Sequence, residues 1–409
     1  MFKGLFDFRN QSLLIKWSII IPVIFFIIVG LFGLSSTSNF NSFISSTFYK
    51  QILWVFIGIT AFIIAQFIRI QYLHDYSYVY FILLVLLLLS TQFFPSIEGS
   101  KRWLIIGKIY IQPSELGKIL YVLGLARFFN DYKVKDKFTL IYFLILFISV
   151  IPPLLVFVQP DLGTALIYMS LIVPILYWSK FDIKLILLLI APIISMIAVA
   201  NLFFYYFWMI FLFVYLVLIK DKLYIRVINF FLNLSASIIS PFIWNNILRE
   251  HQRNRIETFI DPFSDPLGNG YQVIQSMISI GSGGLWGKGI GNGTQTHLKF
   301  LPVRDTDFIA SVISEEMGFI TIFFIMSFLL WFVYRIFDYA QKIENEYAST
   351  VLVGLFSIIF MHFIINLGMI SGLLPVTGLP VPFISYGGSF FLTCSMILGL
   401  MNNIINNQI

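Results

Sequence analysis

EHQRNRIETFIDPFSDPLGNGYQVIQSMISIGSGGLWGKGIGNGTQTHLKFLPVRDTD, residues 250–307, is one long polar segment in a chain that is otherwise almost continuously apolar. Hydrophobic residues fill 59% of the 409 positions and charged residues only 11%, with a mean hydropathy of +0.90. Soluble domains average about 25% charged residues, so a water-soluble globule is excluded. Apolar runs of roughly 18 residues or more recur on both sides of the segment, the mark of bilayer-crossing α-helices. The runs are continuous and do not alternate, which excludes a transmembrane barrel. Spans are expected near 17–34, 51–68, 76–94, 112–129, 138–158, 162–179, 184–200, 203–219, 226–247, 308–334, 349–371 and 383–404. The fold class is an all-α polytopic membrane bundle of about twelve helices, a single integral membrane domain over 1–409. Asn201 alone marks the turn between the seventh and eighth spans. The apolar core at 17–34 is longer than a signal-peptide core and lacks a small-residue cleavage site after it, so it reads as a retained helix.

Lys and Arg set the sidedness. With the N-terminus in the cytoplasm, the short loops bearing Lys133, Lys135 and Lys137, Lys180 and Lys184, and Lys220 and Lys222 all fall inside. Both termini then lie in the cytoplasm and 250–307 lies outside. Topology thus accounts for much of the +6 net charge, and nucleic acid is not an expected partner. Cys394 is the single cysteine, which rules out an internal disulfide or a cysteine metal site. His251 and His297 are isolated, and His362 reads as a packed or hydrogen-bonded residue within a span. No P-loop, dinucleotide fingerprint, H-E-x-x-H or G-x-S-x-G pattern is present, and no organic cofactor is expected.

Polar residues inside or beside the spans are the next signal, because an unpaired charge in the hydrocarbon costs at least about 2.5 kcal/mol. Residues 98–111, with Arg102, Trp103 and Tyr110, suit a membrane–water interface. Glu115 and Lys118 are spaced i,i+3, so they share one helical face near the outer end of the fourth span. They form either a structural ion pair or the polar floor of a cavity open to the outside, and the cavity is favoured. Gln159 and Asp161 open the sixth span, where Asp161 fits a helix cap or a partner for Lys118. In the long segment, Asp261-Pro262 and Asp265-Pro266 are turn formers, and Gly268 and Gly270 begin a run of glycines that reaches Gly293. That glycine density, with Arg253, Arg255, Lys288 and Arg304, points to an anionic ligand such as a phosphate. Pro375, Pro380 and Pro382 break the chain before the last span, and Ser385 to Ser389 read as a cavity wall, since irregular backbone at membrane depth must be buried or line a cavity.

KRWL (101–104), QPSELGK (112–118), QPDLGTAL (159–166), DPLGNGYQVIQSMISIGSGGLWGKG (265–289), TDFI (306–309) with EEMG (315–318), and LPVTGLPVPFISYGGS (374–389) occur in this order. As an ordered set running from residue 99 to about 404, they resemble the RodA/FtsW family, the SEDS proteins of shape, elongation, division and sporulation, and the last motif is more RodA-like than FtsW-like. The resemblance implies a SEDS-type bundle of about ten helices, against the twelve counted here, with the surplus between 184 and 247. It implies a peptidoglycan glycosyltransferase that polymerises lipid II at the outer face of the cytoplasmic membrane for wall elongation and cell shape. It also implies a class B penicillin-binding protein as partner. By motif position, Asp265 is the catalytic aspartate, Trp103 the outer-loop tryptophan, and Glu115 and Lys118 the cavity pair. Asp305 departs from the pattern, since relatives often carry histidine there. Chemically, glycan polymerisation needs a base for the acceptor hydroxyl and positive charge for the departing diphosphate. Asp265 is the candidate base. Lys118, Arg102 and Arg304 are candidates to face the diphosphate, with Trp103, Glu115 and Ser385 also on the substrate side. A divalent cation, Mg2+ or Mn2+, is a candidate helper. Gln159, Asp161, Gly268 and Gly270 shape the cavity, and the polyprenyl tail stays in membrane lipid. A lipid flippase or a non-catalytic scaffold for the transpeptidase is the alternative.

Overall fold

A helix occupies each of the twelve expected spans. The computed structural model describes residues 14–38, 46–96, 100–106, 109–132, 140–219, 223–268, 270–297, 300–301 and 303–408. Its order is α1 (Trp17–Thr37), α2 (Thr47–Gln66), α3 (Ile70–Asp75), α4 (Ser77–Ser90), strands β1 (Leu104–Ile106) and β2 (Ile109–Ile111), α5 (Pro113–Asp131), α6 (Leu140–Val158), α7 (Leu162–Trp178), α8 (Ile183–Ala198), α9 (Leu202–Leu218), α10 (Leu223–Phe242), α11 (Glu250–Ile260), α12 (Tyr271–Ser282), α13 (Thr294–His297), α14 (Ile309–Lys342), α15 (Glu346–Ile370) and α16 (Gly388–Gln408). Six are long and apolar enough to cross a membrane (α1, α2, α10 with its π-helical extension, α14, α15 and α16), and five more are shorter apolar helices. The protein is therefore a multi-pass membrane protein. Among the described residues the exception to an all-helical fold is the antiparallel β1–β2 hairpin, registered Leu104 to Ile111, within the expected interfacial segment.

Helix starts follow local chemistry. Pro113 occupies the first turn of α5, where its missing N–H costs nothing. Asp161 caps α7 by accepting from Thr164 N at 3.1 Å, and Asn201 caps α9 by accepting from Phe203 N at 3.0 Å. That one asparagine cap is enough to divide α8 from α9. The last span starts later than its hydropathy suggests, at Gly388. The prolines at 375, 380 and 382 leave residues 371–387 as irregular chain, with Phe383 at φ 63° and Gly378 at φ 71°.

The main core gathers buried residues from α1, α4, α5, α7, α14, α15 and α16. Small residues bring α16 onto α2: a Cβ at Gly399 would lie 2.5 Å from the carbonyl oxygen of Phe62. Helices α8–α10 hold a second, smaller core of Leu188, Ala191, Leu212, Leu216 and Ile219. A buried polar string runs through it: Trp208 Nε1 donates to Ser195 Oγ at 2.8 Å, and Ser195 Oγ donates to Asn233 Oδ1 at 2.6 Å. In lipid such hydrogen bonds, unlike apolar contacts, have no competing solvent, so they specify how these helices pair.

Helix α14 is broken at Gly318 (φ 74°, ψ −179°). The polar segment repairs the break. Lys288 N and Gly289 N donate to the carbonyls of Glu315 and Glu316 at 3.0 and 2.9 Å, while Phe319 N and Ile320 N donate to the carbonyls of Gly284 and Leu285 at 2.9 and 3.2 Å. Groups that would be costly to leave unpaired at membrane depth are thus satisfied from outside the helix. A Cβ at Gly287 would lie 2.2 Å from the Glu316 carbonyl oxygen, and one at Gly283 2.0 Å from that of Ser314, so the close approach requires glycine.

Candidate active site

Three groups of side chains meet at the end of the bundle that carries the polar segment. The first lies inside the helices. Lys118, fully buried on α5, places Nζ 2.9 Å from Glu115 Oε2 and 2.9 Å from His362 Nε2 on α15. His362 Nδ1 lies 3.3 Å from the carbonyl oxygen of Pro380. That carbonyl can only accept, so the network assigns the ring proton to Nδ1 and leaves Nε2 to accept from Lys118. The ammonium also sits 5.5 Å from the Phe390 ring centre. The i,i+3 spacing produced the expected pair, and the histidine completes it.

A second group surrounds the start of α7. Asp161 Oδ2 accepts from Gln112 Nε2 at 2.9 Å and faces Arg102 NH1 at 3.6 Å, while Arg102 lies 5.8 Å from the Trp103 ring centre. Asp161 is thus a cap and an ion-pair partner, with Arg102 in the place that Lys118 was a candidate to fill. Arg255 on α11 and Asp307 just before α14 belong to the same electrostatic group. Burial pushes the Asp307 carboxyl up, against the Thr306 hydroxyl and the charges of Arg255 and Arg102. Burial lowers the Arg255 guanidinium, against Asp307. Asn366, one turn beyond His362, donates to the carbonyls of Asp307 and Leu379 at 2.8 and 2.6 Å and ties this group to the irregular 371–387 chain.

The third group is the turn bearing Asp265. Its Oδ1 accepts from Gly268 N at 3.1 Å, and its carbonyl accepts from Gly270 N at 3.0 Å. A Cβ at Gly268 would lie 2.2 Å from Asp265 Oδ2, and one at Gly270 2.0 Å from the Pro262 carbonyl oxygen, so both positions need glycine to hold this turn. Asp265 is exposed. Pro262, Leu267 and Gly268, on either side of it in sequence, line a cavity of about 470 Å³ whose other walls include Arg255, Tyr271, Gly372 and Pro375.

Other expected site residues brace this framework. Gln159 is buried and donates to Leu88 O and Thr91 Oγ1, both at 2.9 Å. Ser385 Oγ donates to Thr306 O at 2.7 Å and accepts from Val381 N at 2.8 Å. Arg304 donates to the carbonyls of Thr37 and Thr296 and lies 3.9 Å from Asp305. In this structure Ser385 and Arg304 therefore join loops to one another, and their hydrogen-bonding groups serve the chain itself. The anion expected among the glycines at 281–293 also needs correction. Lys288 Nζ is 2.7 Å from Glu315 Oε1, Gly291 N donates to Glu316 Oε2 at 3.2 Å, and Ser36 Oγ donates to Glu316 Oε1. The anions in that cradle are the protein's own carboxylates. Sequence reasoning left Asp307, His362 and Asn366 without site roles, and named Arg255 only among the basic residues expected to face an anion. A histidine and an asparagine spaced i,i+4 in an apolar helix were the available signal.

The family model for FtsW/RodA/SpoVE cell cycle proteins matches residues 10–217 and 203–408. The chain belongs to this family. It is 35% identical over 329 residues to the peptidoglycan glycosyltransferase MrdB of Escherichia coli K12, covering 80% of this chain and 76% of that protein. It is 33% identical over 407 residues to a probable peptidoglycan glycosyltransferase FtsW of Enterococcus hirae (97% and 93%), and 29% identical over 404 residues to peptidoglycan glycosyltransferase RodA of Treponema pallidum (92% and 93%). Among solved structures, a chain of a peptidoglycan synthase complex described as coordinating polymerization and crosslinking superposes with TM-score 0.71 at 24% identity, covering 97% of this chain and 99% of that one. RodA of Thermus thermophilus superposes with TM-score 0.63 at 19% identity, covering 98% of each chain. The fold is the SEDS helical membrane fold.

Proposed function

We propose that this protein is a peptidoglycan glycosyltransferase that polymerises lipid II on the outer face of the cytoplasmic membrane, in the service of wall elongation and cell shape. The observation that carries the proposal is the juxtaposition at one bundle end: a cavity walled by the Asp265 turn and Arg255, next to a charged group of Arg102, Asp161 and Asp307. The relatives' names supply the reaction class.

In this reading the acceptor sugar hydroxyl gives its proton to the Asp265 carboxylate as its oxygen bonds to C1 of the donor sugar. The C1–oxygen bond to the lipid diphosphate breaks, and the diphosphate leaves with the electron pair. Arg255 and Arg102 offset the charge that develops on it. Guanidinium forks match phosphate oxygens in pairs, and Arg255 already lines the cavity. Lys118 acts from below through its buried network, holding α5 to α15 under the reacting groups. The polyprenyl chain remains in lipid.

A divalent cation is proposed only as a companion of the diphosphate. Among the described residues no three His, Cys, Asp or Glu side chains converge on one point, so a ready-made cage is not among the features described. Mg2+ commonly takes one or two carboxylates together with phosphate oxygens and water. A class B penicillin-binding protein is proposed as the crosslinking partner, and cytoplasmic termini follow from the distribution of Lys and Arg.

The test is gel analysis of polymer formed from purified lipid II, without ATP or an ion gradient, by wild type and Asp265→Asn, with and without chelator. Polymer from the wild type that is lost in the variant supports the reading. Equal polymer from both, or lipid movement across a vesicle without polymer, ends it.

A further inference from the structure

The cavity beside the Asp265 turn is walled by three pieces of chain: helix α11, the start of α12 and the irregular stretch 371–387. Asn254 on α11 and Gln272 on α12 line it, and both are half-buried. Neither side-chain amide has a hydrogen-bond partner among the described residues. Amides elsewhere in the bundle are tied down. Gln159 donates to Leu88 O and Thr91 Oγ1, Asn366 to the carbonyls of Asp307 and Leu379, and Asn402 to Gln66 Oε1 at 2.8 Å. Polar groups withdrawn from water are held by partners as a rule, so two untied amides on one cavity are available to a ligand.

The rest of the wall narrows the chemistry of that ligand. Phe259, Leu374 and Val376 are half-buried and line the same space. Arg255 is the one charged side chain on it among the described residues, and it faces the diphosphate in the reaction above. What remains is apolar surface with two neutral groups, each holding a carbonyl acceptor and an N–H donor. An acetamido group is the complement. Its amide is planar and trans, so the C=O and N–H leave by opposite edges and need partners on two sides. Amides carried by two different helices supply a donor for one edge and an acceptor for the other. The acetyl methyl then lies against Phe259, Leu374 and Val376. A sugar hydroxyl in its place would leave one amide unmet and the apolar wall uncovered.

Building on the glycosyltransferase reading, we propose that Asn254 and Gln272 determine specificity for a 2-acetamido sugar by hydrogen-bonding its acetamido group. The placement suits the reaction. Gln272 follows by four residues Gly268, whose N–H donates to Asp265 Oδ1, and the 2-acetamido group stands on the ring carbon next to C1, where the new bond forms. Amides of the peptide stem carry the same group, but the stem hangs from a ring position farther from C1.

The experiment uses full-length Asp265→Asn protein in detergent as the parent, so that substrate is bound and not consumed, and compares it with the same protein carrying Asn254→Leu and Gln272→Met. Competition binding is read by native mass spectrometry with three lipids: lipid II, a synthetic lipid II with hydroxyls in place of both acetamido groups, and a lipid-linked disaccharide that keeps the acetamido groups and lacks the peptide stem. The parent should prefer lipid II to the hydroxyl analogue by at least about tenfold, as for two neutral hydrogen bonds. In the substituted protein that ratio should fall to within about twofold, with the hydroxyl analogue bound as in the parent, and the stemless lipid should weaken by the same factor as lipid II. A parent that binds lipid II and the hydroxyl analogue equally overturns the proposal without any further substitution, so misfolding of a variant cannot hide the result. A ratio that survives both substitutions also overturns it, and a loss confined to the stem-bearing lipid transfers the amides to the peptide and ends the sugar assignment. The polymerase reading is tested separately, by the gel assay of wild type against Asp265→Asn, and either result can fail while the other stands.

Discussion

In residues 250–272 a glycine turn and Arg255 border a cavity, whereas in residues 282–297 Gly283, Gly287, Gly293 and Lys288 pack against the broken helix α14. The first half turns at Asp265, frames the cavity with Pro262, Leu267 and Gly268, and presents Arg255 to it. The second half repairs the broken helix α14 and encloses Glu315 and Glu316. Polar composition marks a segment as important without saying which kind of partner it has. Where the counter-charge is another side chain, the segment is architecture. Where a cation lines empty space, the segment is available to a ligand.

The largest effect that sharpens this contrast is on turnover. Asp265→Asn should cut polymer yield from lipid II by about 10²–10⁴-fold, the range for removal of a general base. Its thermal midpoint should stay at the wild-type value, because the turn's glycines and backbone bonds persist. A midpoint that falls with activity would put Asp265 among the structural residues.

Glu315→Ala should behave in the opposite way. Glu315 is fully buried and accepts from Lys288, Thr294 and the Gln295 backbone. Removing one member of a buried pair costs about 3–5 kcal/mol, so the thermal midpoint should fall by several degrees, with activity lost only as far as folded protein is lost. An unchanged midpoint with abolished turnover would erase the distinction between the two halves.

Arg255→Gln tests the ligand-facing half with a smaller change. Loss of one charge-assisted contact to the departing diphosphate should lower kcat and kcat/KM for lipid II together by roughly 10-fold, about 1.4 kcal/mol. A rise in KM with kcat unchanged would move Arg255 from the reacting bond to ground-state binding.

The smallest effect is a pH trend. Burial raises the Asp307 carboxyl above its ordinary value of 3.8, so the fold prefers the protonated form. The stability this contributes is full below that ordinary value and is lost as pH rises through the raised one. Asp307→Asn mimics the protonated state at every pH. Its thermal midpoint should therefore gain on wild type as pH rises above the ordinary carboxyl value, and a gap independent of pH would count against the burial of this carboxyl.

Much was legible in the residues. Continuous apolar runs can satisfy their backbone only as helices in lipid, so the positions of the helices follow from hydropathy. The i,i+3 spacing of Glu115 and Lys118 puts them on one face whatever surrounds them, and Asp161 and Asn201 cap helices through bonds to residues only a few positions away. The Asp265 turn is similarly local, with Gly268 and Gly270 answering to atoms of residues 262 and 265.

The tertiary structure alone decided which polar groups are already partnered. His362 meets Lys118 across 244 positions, Lys288 meets Glu315 across 27, and Arg304 reaches back 267 to Thr37. Sequence spacing carries the geometry of contacts within one or two helical turns, because the helix repeat fixes it. Contacts between helices depend on how many side chains pack at once. That joint packing separates an arginine beside an open cavity, Arg255, from an arginine bound to carbonyls, Arg304.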